Sequence, residues 1–165
     1  MNDETAGTNR EGRSEEPTPT LREVGRRRAD LHHSLVELEH AISSAAAGKL
    51  EEWTRGVWLR LLQLRETIDE HVEVTERPNG LYDEIRLRAP RLDAQITRLQ
   101  NEHPEMRERT EELIARLEKP GIGEEWPLEQ ARDDIQRLLG MIVRHRQVGA
   151  DLIWEAYNLD IGGLE

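Results

Sequence analysis

Residues 92–118, LDAQITRLQNEHPEMRERTEELIARLE, decide the fold. Leu92, Ile96, Leu99, His103, Met106, Thr110, Leu113 and Leu117 recur at alternating steps of four and three, and charged or polar residues fill most positions between them. That period predicts an α-helix burying one narrow stripe. Working outward, the same spacing returns in Trp53, Val57, Leu61, Leu64, Ile68, His71 and Thr75, and again in Ile135, Leu138, Ile142, His145, Gly149 and Leu152. A fourth seam, Val24, Leu31, Leu35, Leu38 and Ile42, lies nearer the start. Narrow stripes of this kind pack antiparallel helices at small crossing angles.

Glycine and proline punctuate these segments. The first runs from about Leu21 to Ala47 with Gly48 as a stop, and the second from about Leu50 to Thr75, ended by Arg77-Pro78-Asn79-Gly80. A short piece, 81–88, leads to Ala89-Pro90, and the third long segment continues to Lys119. After Pro120-Gly121-Ile122-Gly123, Pro127 opens the fourth, and Gly162-Gly163 lies past its end. The expected fold is all-α: an up-down-up-down four-helix bundle over residues 20–160, with a short extra helix between the second and third long helices. Residues 1–19, rich in Glu, Thr, Gly, Ser and Pro with Met1 as their one large apolar side chain, are expected to form a disordered tail that adds nothing to the fold. Residues 161–165 are expected to be a C-terminal tail.

Composition narrows the function. A chain of 165 residues is one domain's worth, and 23 basic against 34 acidic residues give a net charge of −11. Such a surface repels phosphate backbones, so no nucleic-acid partner is expected. There is no cysteine, so a metal would be held by His and carboxylate. No apolar run is long enough to span a membrane, and the first ten residues, MNDETAGTNR, lack the apolar centre of a signal peptide, so a cytoplasmic protein without membrane contact is expected. No nucleophile with a base at recognisable spacing, phosphate loop or dinucleotide fingerprint points to an enzyme. Arg26-Arg27-Arg28 reads as a solvated helix face, and the tryptophans and tyrosines read as packing residues.

The informative feature is histidine in the inner stripe. His71, His103 and His145 take seam positions where Leu or Ile is the default. On the first helix His32 lies about 90° from the centre of the seam while His33 points nearly away, so His32 is the expected fourth member and His33 the fallback. His40 falls outside the stripe. Counting residues to the intervening turns at a rise of about 1.5 Å each makes His32 level with His71, and His103 with His145, to within roughly 8 Å. Four buried imidazoles each need a partner, and a metal ion serves all four at once.

The run Leu31-His32-His33-Ser34-Leu35-Val36-Glu37-Leu38-Glu39, then Asp69-Glu70-His71 through Glu76 to Gly80-Leu81-Tyr82, then Glu102-His103 and Arg144-His145, resembles a hemerythrin-like HHE cation-binding domain over about residues 21–160. The resemblance implies a four-helix bundle holding a non-haem di-iron centre through one His per helix and a Glu four residues after the second and fourth His. It implies reversible O₂ binding, or sensing of O₂, nitric oxide, peroxide or iron status. At those two carboxylate positions this chain has Thr75 and Gly149. The nearest substitutes are Glu76, five residues after His71, and Glu155 or Asp151 after His145, ranked in the order Glu76, Glu155, Asp151. Glu76 stands where its helix is ending, and a π-bulge would be needed to turn Glu155 inward. Without bridging carboxylates two ferric ions lack charge compensation, which favours a mononuclear or His-rich site and leaves zinc open beside iron.

The expected metal ligands are therefore His32, His71, Glu76, His103, His145 and Glu155. The expected function is a non-haem iron protein, di-iron or mononuclear, that binds or senses a small diatomic ligand such as O₂ or NO, or reports redox or iron status. The competing reading is a metal-free or zinc-stapled helical interaction module.

Overall fold

The computed structural model describes residues 16–159. Four long helices, α1 (Pro19–Ser43), α2 (Leu50–Glu76), α4 (Asp93–Glu118) and α5 (Leu128–Trp154), are joined by short turns, with the two-turn helix α3 (Leu81–Arg88) and a 3₁₀ turn (Pro90–Leu92) between α2 and α4. A π turn, Glu155–Leu159, closes α5. Helix α1 packs on α2 and α5, and α4 packs on α2 and α5, so each long helix neighbours the next in sequence and the ring closes between first and last. The fold is the expected four-helix bundle, and no strand forms among the described residues.

Local chemistry sets the ends of the helices. Thr18 caps α1: its hydroxyl accepts from the Leu21 amide at 3.1 Å, and Pro19 follows at the first helical position. The same hydroxyl donates to Glu84 Oε1 at 2.6 Å, and the Tyr157 hydroxyl donates to that oxygen at 2.7 Å. One carboxylate thus ties the start of α1, helix α3 and the π turn together. The expected tail therefore ends earlier than residue 19: Thr18 and Pro19 belong to the bundle. Residues 1–15 and the expected C-terminal tail, 161–165, lie outside the described residues. At the α2–α3 turn a Cβ on Gly80 would stand 2.8 Å from the carbonyl oxygens of both Arg77 and Val74, so only glycine fits the turn that ends α2 beside Glu76. Trp126 anchors the α4–α5 connection, buried with its indole N–H donated to Asp134 at 2.8 Å and Arg116 stacked over its ring.

The stripes read from the sequence are buried on all four long helices. They do not form one continuous apolar core. A larger cluster includes Leu31, Ile68, Val72, Met106 and Ile142, and a smaller one at the α3 end includes Val24, Val74, Tyr82, Leu99 and Leu152. Along α4 and α5, His103 and His145 fall between the residues of one cluster and those of the other, and His71 lies on α2 where the two meet. The bundle therefore carries a polar layer through its interior. Helix α4 runs unbroken through Pro104, directly after His103.

Candidate metal centre

Three long helices each bring one imidazole into the polar layer. His71, His103 and His145 are 4, 1 and 3% exposed, and their ring centroids lie 4.9–5.2 Å apart. Nε2 of His145 lies 3.1 Å from Nε2 of His71 and 3.2 Å from Nε2 of His103. Nitrogens bound tetrahedrally at about 2.0–2.1 Å stand about 3.3 Å apart along each edge, so these two separations suit ligands of one ion, and one nitrogen from each of the three rings lies within 4.8 Å of the others.

The far nitrogens decide which protons the rings carry. His103 Nδ1 lies 2.7 Å from Glu76 Oε1, and His145 Nδ1 lies 2.7 Å from Glu102 Oε2. An ionised carboxylate only accepts, so each Nδ1 donates its proton and each Nε2 is left with a lone pair. Burial lowers all three imidazole pKa values, His103 to about 3 with His145 and Arg107 adding to the effect, so the rings are neutral near pH 7. Two lone pairs thus face each other across 3.2 Å with no proton between them, an arrangement that a shared cation relieves. Carboxylates on the outer nitrogens of metal-binding histidines fix the tautomer and raise the basicity of the ligating nitrogen.

Tyr82 completes the wall on the α3 side. Its ring stacks on His103 at 6.1 Å between centroids, and its hydroxyl lies 3.5 Å from His103 Nε2. Burial pushes the phenol up from its ordinary value, so it stays protonated and offers a donor to whatever stands beside the histidines. Thr75, four residues after His71, turns its hydroxyl back onto the carbonyls of His71 and Val72, at 2.9 and 3.1 Å.

Compared with known proteins, the chain matches no family model, no curated protein and no solved structure.

Of the six residues expected at the site, the structure brings His71, His103 and His145 together and places Glu76 against the outer nitrogen of His103. His32 does not join them. It is exposed, with Nδ1 3.4 Å from Arg146 Nη1, because the ~90° between it and the seam keeps it on the outer face. His33, the fallback, is exposed as well. Glu155 does stand at the start of a π turn, but its carboxylate lies 3.7 Å from Arg91 Nη1 at the 3₁₀ turn rather than among the histidines. Asp151 is exposed and accepts from Gln147.

Two residues went unread in the sequence. In the sequence Glu102 stands only as the neighbour of His103, and no spacing rule announces that it crosses to α5. Arg28 is the member that α1 contributes to the layer, between Val24 of one cluster and Leu31 of the other. A signal existed, because 24, 28, 31, 35, 38 and 42 continue the steps of four and three seen on the other helices.

Proposed function

We propose that this protein holds one divalent transition-metal ion on Nε2 of His71, His103 and His145, and that the ion presents an open coordination position to a small ligand. The observation that carries this reading is the 3.2 Å approach of Nε2 of His103 to Nε2 of His145, with a carboxylate 2.7 Å from the other nitrogen of each ring. Three neutral nitrogen donors suit a divalent ion better than a ferric pair, which needs anionic ligands to offset its charge. Resemblance to hemerythrin-like domains supports non-haem iron in the ferrous state, and with it binding or sensing of O₂ or nitric oxide. The Tyr82 hydroxyl, 3.5 Å from His103 Nε2, would serve as a donor to such a ligand.

A zinc-stapled bundle is the second reading, favoured by two nitrogen separations close to a tetrahedral edge and by zinc's greater affinity for such donors. Metal analysis of protein from iron-replete cells separates the two. One iron per chain, with a paramagnetic resonance signal that appears on exposure to nitric oxide, supports the first. One zinc and no such signal supports the second, and a protein that takes up neither metal, as isolated or on reconstitution, defeats both.

A further inference from the structure

Around the three histidines donors outnumber acceptors. Arg28, half-buried in the layer, donates from Nη2 to the Arg146 carbonyl at 3.1 Å, and Arg146 Nη2 reaches back to the Arg28 carbonyl at 3.5 Å. Neither guanidinium pairs with a carboxylate among the described residues, and Arg146 Nε is buried without a partner. His71 Nδ1 is likewise buried without a partner. When Nε2 of His71 is a ligand, that Nδ1 carries a proton to donate. Both arginine charges act on His71, and the charge of Arg28 also reaches His145 and Tyr82. The nearby carboxylates, Glu76 and Glu102, are engaged by His103 and His145.

Room for the guanidinium comes from α5. A Cβ on Gly149 would stand 3.2 Å from Arg28 Nη1, so an alanine there crowds the guanidinium and shifts its tip by a few tenths of an ångström. The chemistry missing from this corner is a compact, negatively charged acceptor. A guanidinium presents a planar fork that matches two oxygens of one group, and it acts more strongly in a partly dry setting than in water.

We propose that Arg28 holds a small oxyanion of the formate or bicarbonate kind beside the three-histidine metal centre. This rests on the metal reading above. The anion balances the charge of a divalent ion held by neutral donors and gives the unpartnered donors an acceptor.

The test uses the full chain loaded with cobalt(II), whose visible spectrum reports its surroundings, titrated with sodium formate at fixed ionic strength. Formate is expected to change the spectrum saturably. Arg28→Met should raise the apparent Kd at least about tenfold, as loss of a charge-assisted contact does, with Arg28→Lys in between. Gly149→Ala, which crowds the tip of the guanidinium without removing it, should weaken formate while cobalt content and far-UV circular dichroism stay unchanged. A cobalt protein whose spectrum ignores formate overturns the proposal, as does an Arg28→Met protein that binds formate as tightly as the parent. Loss of cobalt from Arg28→Met, with formate binding unchanged in Gly149→Ala, would make Arg28 a support of the bundle and overturn it too. A parent protein that takes up no cobalt defeats the metal reading itself, and this inference falls with it.

Discussion

Glu102 Oε2 accepts the Nδ1 proton of His145 at 2.7 Å, so a side chain of α4 sets the tautomer of an imidazole on α5. Glu76, at the end of α2, does the same for His103 on α4. The two links run in one direction round the bundle, each helix orienting the histidine of the next. Loss of such an outer carboxylate typically lowers metal affinity 10- to 100-fold, to order of magnitude. Glu102→Ala should weaken zinc or cobalt binding by about that factor, with Glu102→Gln intermediate because its amide oxygen still accepts. Competition against a chelator of known affinity measures it, and an unchanged affinity would show that the link plays no part in holding metal.

Carboxylates elsewhere should behave differently. Glu76→Ala is expected to weaken metal binding about as much as Glu102→Ala, since it frees the ring of His103. Glu155→Ala and His32→Ala should leave affinity within about twofold of the parent, because one pairs with Arg91 and the other is exposed beside Arg146. Stoichiometry and affinity measured across these variants check the assignment. Strong loss from Glu155→Ala would return Glu155 to the set of metal ligands expected from the sequence.

Three of the four layer positions were legible because each interrupts a stripe of Leu and Ile with His at the helical period, and burial follows from the period alone. The fourth was not. On α1 the register reaches Arg28, but the chemistry of a metal ligand points to a histidine one step off register, and an arginine inside a seam looks like an error in the pattern. What admits it is the neighbouring helix, where Gly149 leaves space and the Arg146 carbonyl takes a hydrogen bond. Glu102 is hidden for the same reason. It is turned about 100° from His103 along α4, and only the packing of α4 on α5 shows that this aims it at His145.

Thr18 offers a separate test of where the ordered chain begins. Its hydroxyl both caps α1 and binds Glu84, which the Tyr157 hydroxyl also binds. Thr18→Ala removes the cap and should cost about 1 kcal/mol, or a Tm lower by roughly 2–4 °C for a domain of this size. Thr18→Ser should retain most of the stability, and thermal unfolding of the two variants decides the matter. An unchanged Tm for Thr18→Ala would mean that α1 begins without help from residue 18.

The pH dependence of the metal-stripped protein follows from the same layer. In the unfolded chain each histidine titrates near 6.5, whereas burial holds His71, His103 and His145 lower, His103 at about 3. Below pH 6.5 the unfolded state therefore binds more protons than the folded one. The stability contribution is fully present above 6.5 and is lost as pH falls from there through the folded pKa values. Each histidine that stays neutral contributes a slope of about 1.4 kcal/mol per pH unit in that window. Glu76, raised from 4.5 by burial, has the opposite sign: it stabilises at low pH and the effect is lost as pH rises through its folded pKa. One exposed carboxylate does not outweigh three buried imidazoles, so the urea midpoint of the stripped protein should fall as pH drops from about 6.5 to about 5. Replacing all three histidines with leucine removes the titrating groups, and with them the partnerless Nδ1 of His71, whose burial costs about 1–3 kcal/mol. That variant should bind no metal, be more stable than the stripped parent, and lose little stability over the same pH range. A parent midpoint that does not move between about pH 7 and about pH 5 would mean that the three imidazoles are not buried neutral in the folded chain.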